Sequence, residues 1–190
     1  TAALNYYLDE MSAIALKYGA TIDKYIGDAI MIFFGDPESQ GIAEDAFRCV
    51  SMAVEMQKRL EELTDKWARF GLQEPFKMRI GINTGFCTVG NFGSENRLDY
   101  TVIGAGVNMA ARLESAASSG SILLSFDTYN LVKDKISCKE SKRIRLKGIS
   151  NPVRTYEVIE SEDTDSIITI KTENSFLQEQ LSGLTGQQLD

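Results

Sequence analysis

An α+β fold, an antiparallel or mixed sheet with flanking helices, is what this 190-residue sequence predicts, and three observations carry that prediction. Segments with a helical apolar period are interleaved along the chain with short segments of period two. Thr21-Ile-Asp-Lys-Tyr-Ile-Gly-Asp-Ala-Ile-Met-Ile-Phe-Phe34 reads as two strands joined at Gly27-Asp28, and so short a connection implies antiparallel pairing. No internal repeat is present, and the hairpin fits α+β better than a parallel, doubly wound sheet.

The elements follow in order. Leu4, Leu8, Met11, Ala15 and Tyr18 keep helical spacing, and Gly19 is a natural stop. In the hairpin, Ile22, Lys24 and Ile26 alternate with Asp23 and Tyr25, whereas Ala29 to Phe34 is a continuous apolar run, the pattern of a strand buried on both faces. A loop over Gly35 to Gly41 leads to one long amphipathic helix, predicted from about Ala43 to Phe70, with Ala46, Val50, Ala53, Leu60, Leu63 and Trp67 on its inner stripe. Met78, Ile80 and Ile82 alternate in a strand, Thr84-Gly85 turns into Phe86 to Gly90, and Leu98 to Ile103 is another strand. Gly104-Ala-Gly106 opens a helix from Val107 to about Ala117. Ile122 to Ser125 predicts a strand, Thr128 to Lys133 a short helix, and the last strands are expected near Ser141 to Leu146 and Val153 to Ile159. Residues 1–160 are expected to form one domain. Residues 161–190 turn polar and acidic and read as a tail with at most a weak helix over Phe176 to Leu181.

Composition narrows the function. Hydrophobic content of 43% with 25% charged residues is that of a globular protein. A net charge of -7 argues against general nucleic-acid binding, which draws most of its affinity from a basic surface; a nucleotide ligand needs only a local patch. Cys49, Cys87 and Cys138 are odd in number and widely separated, so they predict reduced thiols in a cytoplasmic setting rather than a disulfide framework or zinc site. No apolar run approaches a membrane span. With no histidine, Ser-His-Asp and Cys-His mechanisms are excluded, and any metal must take oxygen ligands, which favours a hard ion such as Mg²⁺.

Two stretches hold the candidate chemistry. Asp28 stands where two apolar strands meet, with Lys24 four residues earlier; taken alone, Gly-Asp is also ordinary hairpin chemistry. In Asp99-Tyr-Thr-Val-Ile-Gly-Ala-Gly-Val-Asn-Met-Ala-Ala-Arg-Leu-Glu114, Asn108 and Arg112 are four apart and project from one helix face. An amide beside a guanidinium suits a phosphoryl group or a sugar oxygen, and an isolated pair of this kind equally suits a solvated face. Gly104-Ala-Gly106 lacks the full spacing of either glycine-rich phosphate motif.

Together these stretches resemble the catalytic domain of class III nucleotide cyclases, the bacterial-type adenylyl cyclases in particular. The matching pieces are Lys24-Tyr-Ile-Gly-Asp28, Met78-Arg-Ile-Gly-Ile-Asn-Thr-Gly85, Asp99 to Arg112, and Leu146-Lys-Gly148, in the family's order across residues 1–160. The resemblance implies a ferredoxin-like, palm-type sheet and conversion of ATP to 3′,5′-cyclic AMP and pyrophosphate by attack of the ribose 3′-oxygen on the α-phosphate, assisted by two Mg²⁺ or Mn²⁺ ions. It implies that Asp28 is one of two metal aspartates. Lys24 and Thr101 would select the base, Asn108 would orient the ribose, Arg112 would stabilise charge on the α-phosphate, and Arg79 and Lys147 would hold the β- and γ-phosphates. Arg79 reads otherwise as a strand-end cation and Lys147 as a surface lysine before a glycine turn. Guanylyl cyclases resemble this family with a glutamate and a cysteine at the two base positions, so Lys24 and Thr101 favour ATP. The family also implies a homodimer with sites shared across a two-fold interface, Asp28 and Arg79 on one subunit and Lys24, Thr101, Asn108, Arg112 and Lys147 on the other.

One piece of the family pattern lies outside these residues. The first metal aspartate belongs to an apolar strand upstream of the first helix, and residues 1–190 hold no such strand; Asp9, Asp23 and Asp36 read as helix-surface, strand-surface and loop carboxylates, not substitutes. The expectation is a longer polypeptide that carries this strand, with a regulatory sensor domain upstream. The alternative is a degenerate cyclase-like module that binds nucleotide or a partner without turnover. A diguanylate-cyclase relative would need a Gly-Gly-Asp/Glu-Glu-Phe signature, which Ile26-Gly-Asp-Ala29 does not supply.

Overall fold

The structure is a computed structural model, and it describes residues 1–72, 74, 76–141, 143–145 and 152–159. In chain order the elements are α1 (Ala2–Lys17), β1 (Thr21–Ile26), β2 (Ala29–Phe33), α2 (Ile42–Glu62), α3 (Thr64–Arg69), β3 (Ile80–Ile82), β4 (Thr88–Ser94), β5 (Arg97–Ile103), α4 (Ala105–Ala116), β6 (Ile122–Ser125), α5 (Phe126–Val132), β7 (Cys138–Glu140) and β8 (Thr155–Val158). The α+β class is as expected. Among the described residues the strands form three sheets: the β1-β2 hairpin, the β4-β5 hairpin, and a mixed sheet ordered β3-β6-β8-β7, in which β3 and β6 run parallel and the other pairs antiparallel.

Local chemistry accounts for the element ends. At the end of α1, Gly19 N–H donates to Leu16 O at 2.9 Å and Ala20 N–H to Ala15 O at 3.0 Å, the paired bonds of a Schellman stop. The hairpin pairs Ile26 with Ala29, leaving Gly27-Asp28 as a two-residue turn. Gly27 has φ 65°, and among the described residues no non-glycine residue has positive φ, which matches a type II′ turn with glycine first. Before α2, Asp45 turns back to accept hydrogen bonds from the Ser39 hydroxyl and the Gln40 amide, fixing the loop that enters the helix.

The packing explains why α2 is so deeply set. Its Phe47, Val50 and Val54 face Ile82, Ile122, Leu124 and Tyr156 of the mixed sheet together with Val132 of α5. Its Met52, Met56 and Leu60 face Met11 and Ala15 of α1 and Trp67 of α3, with Ile22, Ile30 and Ile32 of the hairpin packed against that cluster. On the opposite face of β6, Leu123 meets Leu113 and Ala117 from α4 and its end. Thus β6 is buried on both faces, with α2 and α5 on one side and α4 on the other.

Several expectations are corrected. The long helix over 43–70 is two helices: the Leu60 carbonyl accepts the Trp67 indole N–H at 3.3 Å and the Glu61 carbonyl accepts the Thr64 hydroxyl at 2.6 Å, side-chain bonds that mark the break at Leu63. The run Ala29 to Phe34 is half-buried rather than buried on both faces, because β1-β2 is a two-stranded sheet with only its inner side on the α1–α2–α3 core. Of the strand expected over 141–146, the described residues show one bridge, from Ile144 to Val153, and a strand that was not expected precedes it at Cys138–Glu140. Leu146, the tail and its expected weak helix lie outside the described residues. No described helix is long and apolar enough to cross a membrane.

Candidate active site

The centre of the site is an irregularity in β1. Ile22 pairs with Ile32 and Lys24 with Met31, so Asp23 is an extra residue, a bulge that breaks the alternation suggested by the sequence. Asp23 is therefore not a strand-surface carboxylate, as its position suggests; only 1% of its side chain is exposed. Each carboxylate oxygen faces one partner. Thr101 Oγ1, on β5, donates to Asp23 Oδ2 at 2.7 Å, and Lys24 Nζ stands 3.8 Å from Oδ1. A buried carboxylate needs such partners to offset its lost hydration. Lys24 keeps 46% of its side chain in solvent, and Thr101 is buried at 6%. The two residues expected to read a base, far apart in sequence, thus meet around one carboxylate.

The second arm is α4. Asn108 is exposed and Arg112 half-buried one turn later, and neither side chain has a hydrogen-bond or ion-pair partner among the described residues. Two contacts fix the helix. Asn83 Nδ2 donates to Gly106 O at 3.1 Å in the first turn. Gly81, in the middle of β3, lies so close to α4 that a Cβ there would sit 2.2 Å from Glu114 N and 2.3 Å from Ala110 O. Arg79 precedes β3, and its guanidinium pairs with Glu114 Oε1 at 3.0 Å, both groups partly exposed. Such a pair is worth about 0–1 kcal/mol and exchanges readily for another anion.

Asp28 occupies the exposed hairpin turn, as expected, and its carboxylate forms no hydrogen bond or ion pair among the described residues. Its charge is nevertheless felt: burial pushes the Tyr7 phenol up to about 12, and Asp28 adds to the shift. Among the described residues no group of three or more acidic, cysteine or histidine side chains could hold a metal. An unpaired carboxylate does fit Mg²⁺ or Mn²⁺ in one respect, since Mg²⁺ is commonly held by one or two carboxylates with substrate phosphates and water completing the shell. Asp9 is exposed on α1, and Asp36 is a loop residue whose carboxylate accepts from the Tyr100 hydroxyl while its carbonyl accepts from Thr21 Oγ1 at 2.6 Å. Lys147 lies outside the described residues.

The structure therefore joins Lys24 to Thr101 and places Asn108 and Arg112 on one short helix. Asp23, Asn83 and Gly81 escaped the sequence reading. Gly81 left a signal, a glycine inside an apolar strand that marks close backbone approach; Asp23 left only an acid beside a lysine, and Asn83 only its place in the Met78 to Gly85 motif.

Residues 1–160 match the family model described as the adenylate and guanylate cyclase catalytic domain. Adenylate cyclase 1 of Rhizobium meliloti is 33% identical over 161 residues, covering 83% of this chain but only 24% of its own length, so the chain spans about a quarter of that relative. Among solved structures, the adenylyl cyclase CyaB from P. aeruginosa is 53% identical with a TM-score of 0.81, covering 84% of this chain and 81% of that one. The guanylyl cyclase Cya2 is 40% identical with a TM-score of 0.76, covering 82% and 77%.

Proposed function

The chain belongs to the family of adenylate and guanylate cyclase catalytic domains, and within that family we propose that it is an adenylate cyclase, converting ATP to 3′,5′-cyclic AMP and pyrophosphate. The observation that carries the substrate choice is the meeting of Lys24 and Thr101 around Asp23. An ammonium donates to the ring nitrogen N1 of adenine, and a hydroxyl accepts from its 6-amino group; guanine offers a protonated N1 and a carbonyl instead, so the same pair mismatches it.

The remaining residues take roles that their positions allow. Asn108, exposed on α4, bonds the ribose and presents its 3′-oxygen to the α-phosphate. Arg112, one turn away and without a competing partner among the described residues, stabilises the charge that builds on the α-phosphate oxygens as the new bond forms. Arg79 leaves Glu114 to bind the β- and γ-phosphates, helped by Lys147. Asp28 holds a divalent ion, which when bound neutralises phosphate charge and lowers the pKa of the 3′-hydroxyl.

Partnering follows from the surface. Tyr25 and Ile26 on the hairpin, Phe86 in the loop after β3, and Leu98, Tyr100 and Ile103 on β5 are all exposed. So many large apolar side chains on neighbouring elements suit a protein interface, and a two-fold homodimer would bring Asp28 and Arg79 of one subunit to Lys24, Thr101, Asn108 and Arg112 of the other. A second reading, a nucleotide-binding module without turnover, is favoured by there being, among the described residues, no group of three or more acidic, cysteine or histidine side chains able to hold a metal. Both are tested by measuring cyclic AMP and cyclic GMP formation by the purified full-length protein with Mg²⁺ or Mn²⁺ over a dilution series. The expected result is metal-dependent cyclic AMP production in excess of cyclic GMP, with specific activity falling on dilution. Preference for GTP refutes the adenylate assignment, binding without turnover establishes the module, and undiminished activity in a monomer refutes the shared site.

A further inference from the structure

Asp23 takes no direct part in the proposed chemistry, yet its position is unusual. It is a carboxylate with 1% of its side chain exposed, placed by a bulge between the two residues that face the base in the adenylate cyclase reading, on which this inference rests. A threonine hydroxyl is ambivalent: it has one proton to give and two lone pairs to accept with. Left to rotate, it would donate to the 6-carbonyl of guanine as readily as it accepts from the 6-amino group of adenine. It would then discriminate little.

Asp23 removes the ambivalence. An ionised carboxylate can only accept, so the 2.7 Å contact between Thr101 Oγ1 and Asp23 Oδ2 takes the hydroxyl proton. What Thr101 then offers a ligand is lone pairs alone. Lys24, a pure donor, stands at the other carboxylate oxygen, 3.8 Å away. We propose that Asp23 is a positioning residue for base specificity: it turns Thr101 into an obligate acceptor beside an obligate donor, a pattern that suits an exocyclic amine next to an unprotonated ring nitrogen and opposes a carbonyl next to a ring N–H. Asp23 touches no substrate; it acts through the proton it holds.

A change of charge without a change of shape provides the test. In Asp23→Asn the amide oxygen turns to the Lys24 ammonium and the NH₂ group to Thr101, which frees the hydroxyl proton to point outward and donate. The kcat/KM values for ATP and GTP are measured for the wild-type full-length protein, Asp23→Asn, Thr101→Val and the double variant, with thermal melting to establish folding. Asp23→Asn is expected to lower the ATP-to-GTP ratio by about tenfold or more, the scale of one hydrogen bond to a charged group, through a loss for ATP and a gain for GTP. In the Thr101→Val background, Asp23→Asn should move the ratio far less than in the wild-type background, since no hydroxyl remains to be oriented and only the contact with Lys24 is changed. A merely structural role would lower both substrates in parallel, and an unchanged ratio in Asp23→Asn overturns the proposal while a wild-type preference for ATP keeps the adenylate reading. A wild-type preference for GTP removes that reading and this one together. Should Asp23→Asn not fold, Thr101→Val decides: it must reduce ATP turnover about tenfold or more and spare GTP, and parallel loss refutes the assignment.

Discussion

Replacing Gly81 by alanine inserts one methyl group where β3 crosses α4, and the distances there set the size of the disturbance. The new Cβ would fall 2.2 Å from Glu114 N, 2.3 Å from Ala110 O and 2.8 Å from the Leu113 carbonyl carbon. Ordinary contact begins near 3.4 Å, and all three neighbours are backbone atoms that no side-chain rotation can move aside. Strand and helix must therefore part by roughly 1 Å, at an overpacking cost of about 1–3 kcal/mol. The helix that moves is the one carrying Asn108, two residues before the clashing Ala110, and Arg112, directly before the clashing Leu113 and Glu114. A 1 Å misplacement of positioning groups costs on the order of 10²-fold in rate. Gly81→Ala should thus melt at a lower temperature and, at temperatures where it is still folded, lose about 100-fold in kcat. Steady-state cyclisation kinetics beside circular-dichroism melting give both quantities. A folded Gly81→Ala protein with kcat within about threefold of wild type would show that the β3–α4 contact does not position the catalytic face.

Arg112→Ala removes a cation whose proposed work lies in the transition state, so kcat should fall on the order of 10²–10³-fold with little change in KM for ATP; a rise in KM at constant kcat would make it a ground-state binding residue. The Tyr7 phenol, raised from its ordinary value near 10 to about 12 by burial and by the charge of Asp28, makes stability depend on alkaline pH. The unfolded chain ionises first, so the contribution is complete below pH 10 and is lost as pH rises toward about 12. The gap is worth up to roughly 3 kcal/mol. Tyr7→Phe should therefore show a shallower decline of melting temperature between pH 10 and 12 than wild type; identical slopes would assign the alkaline loss elsewhere, with the partly buried Cys49, whose thiol desolvation also raises to about 12, the first alternative.

Much of the fold could be read locally. The period and the Gly19 stop of α1, the Gly27-Asp28 turn, and the face shared by Asn108 and Arg112 each depend on residues within a few positions of one another. The division of the long helix at Leu63 was not legible, because it involves the Trp67 indole bonding back to the Leu60 carbonyl, a choice that also depends on Trp67 being fully buried against α1 and Phe76. The site divided in the same way. Asp28 and Lys24 announce themselves as charges on an apolar hairpin, whereas Gly81 matters only because α4 happens to lie on it.

Two apolar runs mark the boundary most clearly. Ala29 to Phe34 and Ile122 to Ser125 carry nearly the same local signal, yet the second is buried on both faces and the first is only half-buried. Hydrophobicity along a strand states how much surface can be covered; which elements arrive to cover it is a matter of tertiary packing. Asp23 obeys the same division. By itself the sequence determined that β1 carries an acid beside a lysine, and that a threonine lies 78 residues on. Only the cross-strand register, which makes Asp23 a bulge, and the approach of β5, which brings Thr101 to its carboxylate, decided that the acid is buried, because a carboxylate withdrawn from water persists only where tertiary partners replace the hydration it gives up.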